Sequence, residues 1–319
     1  MDSLIFALNA TLPVFLVMVV GWFLRQRGLL PKEFTGTADK FVFRVASPCF
    51  LFYDISTSDF YGNFDVTFVL FCVISSTLMF LISWGVALTF IKDKSIVSAF
   101  GQAAARGSAA ILGIAFMQNL YGEAGQLPMM IAASVPIFNI MSVIILTFSA
   151  PPEENVPKLD GRALIKDSLY KIVTNPLIIG IALGLIVAIL RIEIPVILNK
   201  TISNIGGLTS PLALLCIGAD FDGKKAINRI KPTIWASLFK LVIFPAIFLP
   251  VAIAFGFTHD KLIAILIMTG TATTVSCYVM AKNMRGDAVL TSSIVVVSTL
   301  FSAITMTFWL WLLRVMGLI

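Results

Sequence analysis

An all-α integral membrane protein is the fold class that this sequence predicts, and three observations predict it. Of its 319 residues, 58% are hydrophobic and only 13% charged, whereas a soluble domain carries roughly 25% charged residues. The mean hydropathy of the whole chain is +0.97, and apolar windows of about 20 residues, long enough to cross a ~30 Å hydrocarbon core, recur from end to end. The two halves of the chain also carry the same landmarks at one fixed offset. Backbone in lipid must satisfy its own polar groups, and these windows lack the alternation of barrel strands, so the spans should be helices.

Ten transmembrane helices are expected. Span 1 covers 4–24; only Asp2 precedes it, with no basic stretch, so it reads as a retained span rather than a signal peptide. Span 2 (37–54) is interrupted by Arg44, Ser47 and Pro48, and span 7 (197–219) by Asn204, Gly206, Gly207, Ser210 and Pro211. Both are kept because the parity of their neighbours requires them. Span 3 (66–91) carries no charged residue before its end, span 4 (95–120) contains Arg106, and span 5 (127–149) contains Asn139. Span 6 (172–190) opens near Asn175-Pro176, span 8 (233–256) carries Lys240, Pro245 and Pro250, and spans 9 (261–282) and 10 (288–313) complete the set.

Basic residues give the orientation. Sixteen of the 23 Lys and Arg residues fall in loops after odd-numbered spans: Arg25 to Lys40, Lys92 and Lys94, Lys158 to Lys171, Lys224 to Lys231, and Lys282 with Arg285. Four fall on the opposite side (Arg191, Lys200, Lys261, Arg314), and Arg44, Arg106 and Lys240 lie within spans. The positive-inside rule then places both termini outside the cytoplasmic membrane. The net charge of +6 is thus a topology signal and carries no nucleic-acid reading.

An internal repeat organises the chain. Pro13 and Gly21 in span 1 match Pro176 and Gly184 in span 6, while Ala46-Ser47-Pro48 in span 2 matches Thr209-Ser210-Pro211 in span 7. One offset of 163 residues superposes them all. The same offset sets Arg106-Gly107-Ser108-Ala109 of span 4 against Thr269-Gly270-Thr271-Ala272 of span 9. Five spans per repeat is odd, so the second copy must be inverted. The expected organisation is a first repeat over 1–150, a cytoplasmic linker over 151–171 containing Pro151-Pro152-Glu153-Glu154, and a second repeat over 172–319.

Gly beside Ser or Thr lets the backbone leave the helical path, and such breaks persist in a membrane only where they line a cavity or are buried in protein. Paired breaks in two inverted repeats point to a binding site. Arg106 stands immediately before the first break, in a costly position for a charge, with a planar fork suited to a carboxylate. The candidate substrate-binding residues are Arg106, Gly107, Ser108, Asn139, Lys240, Gly270, Thr271, Thr273 and Thr274, with Pro48 and Pro211 as scaffold or helix-break prolines. Each has a plainer reading as well. Arg106 can pair with carbonyls of the broken segment, Lys240 can snorkel to the interface, Asn139 can bond a neighbouring helix, and the glycines can simply allow close packing. Asp54, Asp220 and Asp222 read as helix-end residues.

Enzyme chemistry has no foothold. The single histidine, His259, sits beside Asp260 with no metal-ligand partner, and no HExxH, GxSxG or phosphate-binding loop is present. Cys49, Cys72, Cys216 and Cys277 lie singly in spans, so neither a disulfide framework nor a metal site is expected. No cofactor is implied. The expected function is secondary transport of a small organic anion by uniport, since neither break contains Asp or Glu. The alternatives are proton-coupled symport and, in a different class, a channel or membrane receptor.

The chain resembles the auxin efflux carrier family of permeases, which includes bacterial malate and malonate carriers and plant auxin carriers. The resemblance rests on Phe41-Val42-Phe43 through Ser47-Pro48, Asn175-Pro176, Ser210-Pro211-Leu212-Ala213-Leu214 with Ile217-Gly218, and Lys240 to Pro245, and it covers essentially the whole chain. It implies a scaffold of spans 1, 2, 6 and 7, a transport domain in which broken spans 4 and 9 cross, elevator-type motion and a homodimer. Arg106-Gly107-Ser108 stands where many members carry Asn, and the span 9 break lacks the proline of plant carriers, which favours a more strongly anionic substrate than auxin.

Overall fold

A computed structural model of the chain describes residues 2–57, 65–108, 113, 117, 125–149 and 161–319. The second half of span 4, apart from helical Gly113 and Met117, and the Pro151 to Glu154 stretch of the linker lie outside the described residues. The described chain is helical. In order it forms α1 (Asp2–Gln26), α2 (Lys32–Phe41), α3 (Ser47–Ser56), α4 (Val66–Phe90), α5 (Val97–Ala103), α6 (Leu127–Phe148), α7 (Gly161–Val173) and α8 (Pro176–Leu190). There follow α9 (Val196–Gly207), α10 (Thr209–Asp220), α11 (Gly223–Asn228), α12 (Ile230–Leu238), α13 (Phe244–Ala254), α14 (His259–Gly270), α15 (Ser276–Asn283) and α16 (Ala288–Val315).

By length and composition, five described helical stretches can cross a membrane: α4, α6, the α9–α10 stretch Val196–Asp220, the α12–α13 stretch Ile230–Ala254, and α16. A sixth results if Lys166–Val173 and Pro176–Leu190, bent by 57°, count as one. Thr11–Gln26 forms a shorter apolar helix. Large apolar side chains stand outward along α4 (Leu70, Ile74, Leu78, Leu81), α8 (Ile179, Leu183, Ile186) and α16 (Phe301, Ile304, Phe308). Faces of that kind suit a lipid environment rather than water. The end of the expected linker is itself helical: α7 stabilises a polar segment with an i,i+4 pair between Asp167 and Lys171.

Prolines shape two of these stretches in the same way. Pro48 and Pro245 are each preceded by a five-residue π-helical turn, Val42–Ala46 and Phe239–Ile243. A proline inside a helix donates no amide bond and its ring crowds the carbonyl four residues earlier. For Pro245 that carbonyl belongs to Leu241, and it accepts from Trp309 Nε1 at 3.0 Å. The wider turn also rotates the side chains it contains, so Lys240 points inward.

The helices pack in two groups. In one, α1 lies on α10 and α3 on α8 and α9. Glycines set these contacts: a Cβ on Gly218 would stand 1.8 Å from the Met18 carbonyl oxygen, and one on Gly21 2.2 Å from that of Leu215. Gly180 and Gly184 of α8 meet the Pro48 and Phe52 carbonyls of α3 in the same manner. In the second group α4 packs on α5 and α6, α13 on α14, and α12 on α16, around a core that includes Phe68, Phe80, Phe138, Phe244 and Met268. Loops are tied by N-capping acids. Asp65 caps α4 and pairs with Lys261, whose hydrogen bond holds the Asp65 carboxyl below the usual range. Arg229 bridges Asp93 and Asp287, the latter the N-cap of α16.

Because the Met18 carbonyl cannot retreat without moving α1, Gly218→Ala should force α1 and α10 apart. A loss on the order of 1–3 kcal/mol is expected for overpacking of this kind. Gly85→Ala, with no atom within 4 Å of the added carbon, should lose nothing. Thermal melting of the two variants in detergent checks the difference.

Candidate functional site

The two breaks expected in spans 4 and 9 meet. After α5 the chain is no longer helical at Arg106, and after α14 it runs extended from Thr271. Gly107 and Thr273 form an antiparallel bridge, with Ser108 N–H donating to the Ala272 carbonyl at 2.9 Å. Thr273 Oγ1 donates to the Ala103 carbonyl at 2.9 Å, and its amide donates to Ser298 Oγ of α16 at 3.0 Å. Gln102 Nε2 reaches the Cys277 carbonyl at 3.0 Å. Each broken segment thus supplies partners for the backbone groups that the other has freed, as burial away from water demands.

Lys240 completes this arrangement. Its side chain is fully buried, and Nζ donates to the Met268 and Thr269 carbonyls, each at 2.8 Å, at the C-terminal end of α14. An ammonium suits that end of a helix dipole. The Thr271 hydroxyl takes the Ile267 carbonyl at 2.9 Å. A Cβ on Gly107 would lie 2.8 Å from Thr271 Oγ1 and 2.9 Å from Lys240 Nζ, so a larger residue there would push these two side chains from their places. Gly270 is similarly pressed against the Pro245 ring.

Arg106 lies on the other side of the crossing, 5% exposed. Its Nη2 donates to Asn139 Oδ1 at 2.7 Å, and its Nη1 to Met280 Sδ at 2.8 Å and Ser142 Oγ at 3.5 Å. Asn139 is fixed by its own amide, which donates to the Val135 carbonyl one turn earlier at 2.8 Å, so its oxygen faces the guanidinium. Among the described residues, no carboxylate lies within ion-pair distance of Arg106 or Lys240. Among the described residues, the partners of the Arg106 guanidinium are neutral.

These groups border a cavity of about 50 Å³. Of the residues singled out from sequence, Arg106, Gly107, Ser108, Asn139 and Thr274 line it. Gly270, Thr271 and Lys240 stand behind it and hold the crossing, while Thr273 and Pro211 border a second, more apolar cavity on the far side with Pro13 and Ser108. Pro48 shapes the π-helical turn beside the first cavity. Sequence reasoning missed the opposing wall: Phe43, Ser47 and Phe50 from the α2–α3 stretch, Leu177 from α8, and Thr209 with Ser210 from α10. The hydroxyls of Ser47 and Thr209 are buried without a hydrogen-bond partner. Their position beside the repeated prolines was the available signal.

The chain matches the family described as "Membrane transport protein" over residues 6–310. It is 21% identical over 319 residues to the "Uncharacterized transporter YfdV" of Escherichia coli strain K12, covering 98% of this chain and 100% of the relative. It is 22% identical over 325 residues to the "Uncharacterized transporter MJ1031" of Methanocaldococcus jannaschii, covering 96% of this chain and 98% of that protein. A match of this extent, on a helical chain with apolar outward faces, makes this protein a membrane transporter belonging to the auxin efflux carrier family.

Proposed function

We propose that this protein carries a small organic anion, with a carboxylate as the recognised group, across the cytoplasmic membrane by alternating access. The observation that carries the reading is Arg106: a buried guanidinium whose partners among the described residues are neutral, on a cavity, beside a break in the helix that positions it. An anion in the cavity would supply a charge partner that the described residues do not. The unpartnered hydroxyls of Ser47 and Thr209 offer further donors across the cavity. Its volume is small for a metabolite, so entry of substrate requires the two helix groups to separate. Elevator-type motion and a homodimer are what the family resemblance adds.

The site reading includes ten crossings in two inverted repeats. Of the expected spans outside the six stretches that length and composition allow, spans 4 and 9 are broken at Arg106 to Ser108 and at Thr271 to Val275. Span 2 is a continuous helical stretch from Lys32 to Ser56 that carries charged residues along its length, and span 1 contributes the apolar helix Thr11–Gln26. The reciprocal packing of α1 on α10 and α3 on α8 supports the repeat, since span 1 then meets span 7 as span 6 meets span 2. Among the described residues, no acidic side chain lines the cavity, which favours uniport. One negative charge gains ~2.3 kcal/mol per 100 mV on leaving a negative interior. Proton symport is the alternative coupling.

Three outcomes test these statements. Arg106→Gln should weaken binding of the anion roughly 10- to 100-fold, the value of a charge-assisted hydrogen bond, while Arg106→Lys keeps the charge, loses the fork and falls between. A thermal-shift screen of purified protein against mono- and dicarboxylates identifies the ligand, and a ligand that stabilises wild type and Arg106→Gln equally would remove Arg106 from the site. A periplasmic reporter fused at Ile319 should be active and one at Asp160 inactive; an inactive reporter at Ile319 would end the ten-span topology. Uptake into proteoliposomes should follow membrane potential, and uptake that instead requires a pH gradient and ignores potential rejects uniport.

A further inference from the structure

Away from the cavity, the seam between the two helix groups holds a charged cluster in which Asp39 is buried, while the side chains of Asp220 and Lys282 are 23% and 28% exposed. Lys282, at the end of α15, places its ammonium against both Asp39 of α2 and Asp220 of α10. Tyr278, one turn earlier, donates its hydroxyl to Asp220 Oδ2 at 3.1 Å, lies 3.5 Å from Asp39 Oδ2, and accepts from Lys282 Nζ at 2.9 Å. Thr35 Oγ1 donates to Asp220 Oδ1 at 2.9 Å, and Asn283 Nδ2 to the Asp39 carbonyl at 3.3 Å. The Cys216 thiol also faces this group, 4.0 Å from the Thr35 carbonyl. Asp222 borders the adjoining cavity of about 100 Å³, which reaches Asp220 and Tyr278 beside Ser292 and Ser293; its own carboxylate caps α11 and pairs with Lys225.

The charges do not balance. Two carboxylates share one ammonium, and Asp39, 1% exposed, has its Oδ1 buried with no hydrogen-bond partner. The carboxylates belong to the α1–α3 and α8–α10 group, and the cation belongs to the helix that leads out of the crossing. When the groups separate, Lys282 withdraws with α15 and the two carboxylates are left beside each other without their shared cation. Like charges in such a site favour protonation of one of them.

We propose that Asp39 and Asp220 form a proton-binding site that exchanges the Lys282 ammonium for a proton, making the seam a latch that acid loosens. In the closed arrangement both carboxylates are held by the Lys282 ammonium. On opening, a proton from solvent forms an O–H bond on one carboxylate, and the remaining charge is shared between the two. The open arrangement therefore holds one more proton than the closed one and is favoured as pH falls, by up to about tenfold per pH unit. By the positive-inside assignment the cluster adjoins the loops at 222–231 and 282–285 on the cytoplasmic side, and the proton enters and leaves from there. The latch regulates movement and translocates no proton, which leaves uniport intact.

The inference rests on the alternating-access reading, but its test needs no substrate, so either can fail alone. Hydrogen exchange of the full-length protein in lipid nanodiscs, followed over residues 276–286 and corrected for intrinsic exchange, reads the opening. Wild type should lose protection several-fold between about pH 8 and pH 6, within the tenfold-per-unit limit of a single proton. Asp220→Asn and Asp39→Asn each leave one carboxylate facing one ammonium, and both should remain protected across that range. A wild type without pH dependence, or pH dependence retained in whichever of the two variants folds, overturns the proposal. Protection that instead follows sodium replaced by choline at constant pH assigns the carboxylates to a metal cation and overturns it equally.

Discussion

Backbone that leaves the helical path away from water must find partners for its amides and carbonyls, and the centre of this protein follows from that constraint. Pro245 forces a π-helical turn; the turn aims Lys240 at the end of α14; the ammonium takes the carbonyls that the break has freed. Only then can the chain run extended through Thr271 and pair with Gly107. Arg106 is the residue before that pairing, so its place on the cavity depends on a proline about 140 positions later in the sequence.

Two buried cations consequently do different work within one crossing. Lys240 meets backbone carbonyls and is consumed in holding the fold, with no room beside it once Gly107 is in place. Arg106 meets an amide oxygen, a thioether and a hydroxyl, which orient the fork without neutralising it. From sequence alone the two looked alike, as charges inside apolar segments. What separates them is the identity of the partner atoms, and those come from α6, α14 and α15.

Much of the architecture was legible because it is written in local chemistry. Glycine beside serine or threonine at a fixed offset marked the breaks, and Gly21 and Gly184 sit where neighbouring backbones approach. The wall formed by Ser47 and Thr209 was half legible, since both lie beside the repeated prolines but carry no charge to draw notice. The Asp39, Asp220 and Lys282 cluster was not legible at all. Its members are spread across 243 residues, and Asp220 had every local mark of a helix-end acid. Only the packing of α2, α10 and α15 brings them together.

The cavity is walled on one side by the crossing and on the other by α3, α8 and α10. That division sets the design rule for a blocker. On the proposed alternating-access function, an anion held by Arg106 and the break alone would travel with the helices that carry it. A longer ligand that also hydrogen-bonds Ser47 and Thr209 staples the two walls to each other, so every gain in affinity from the second wall is a loss in turnover. Such a compound would be a brake rather than cargo.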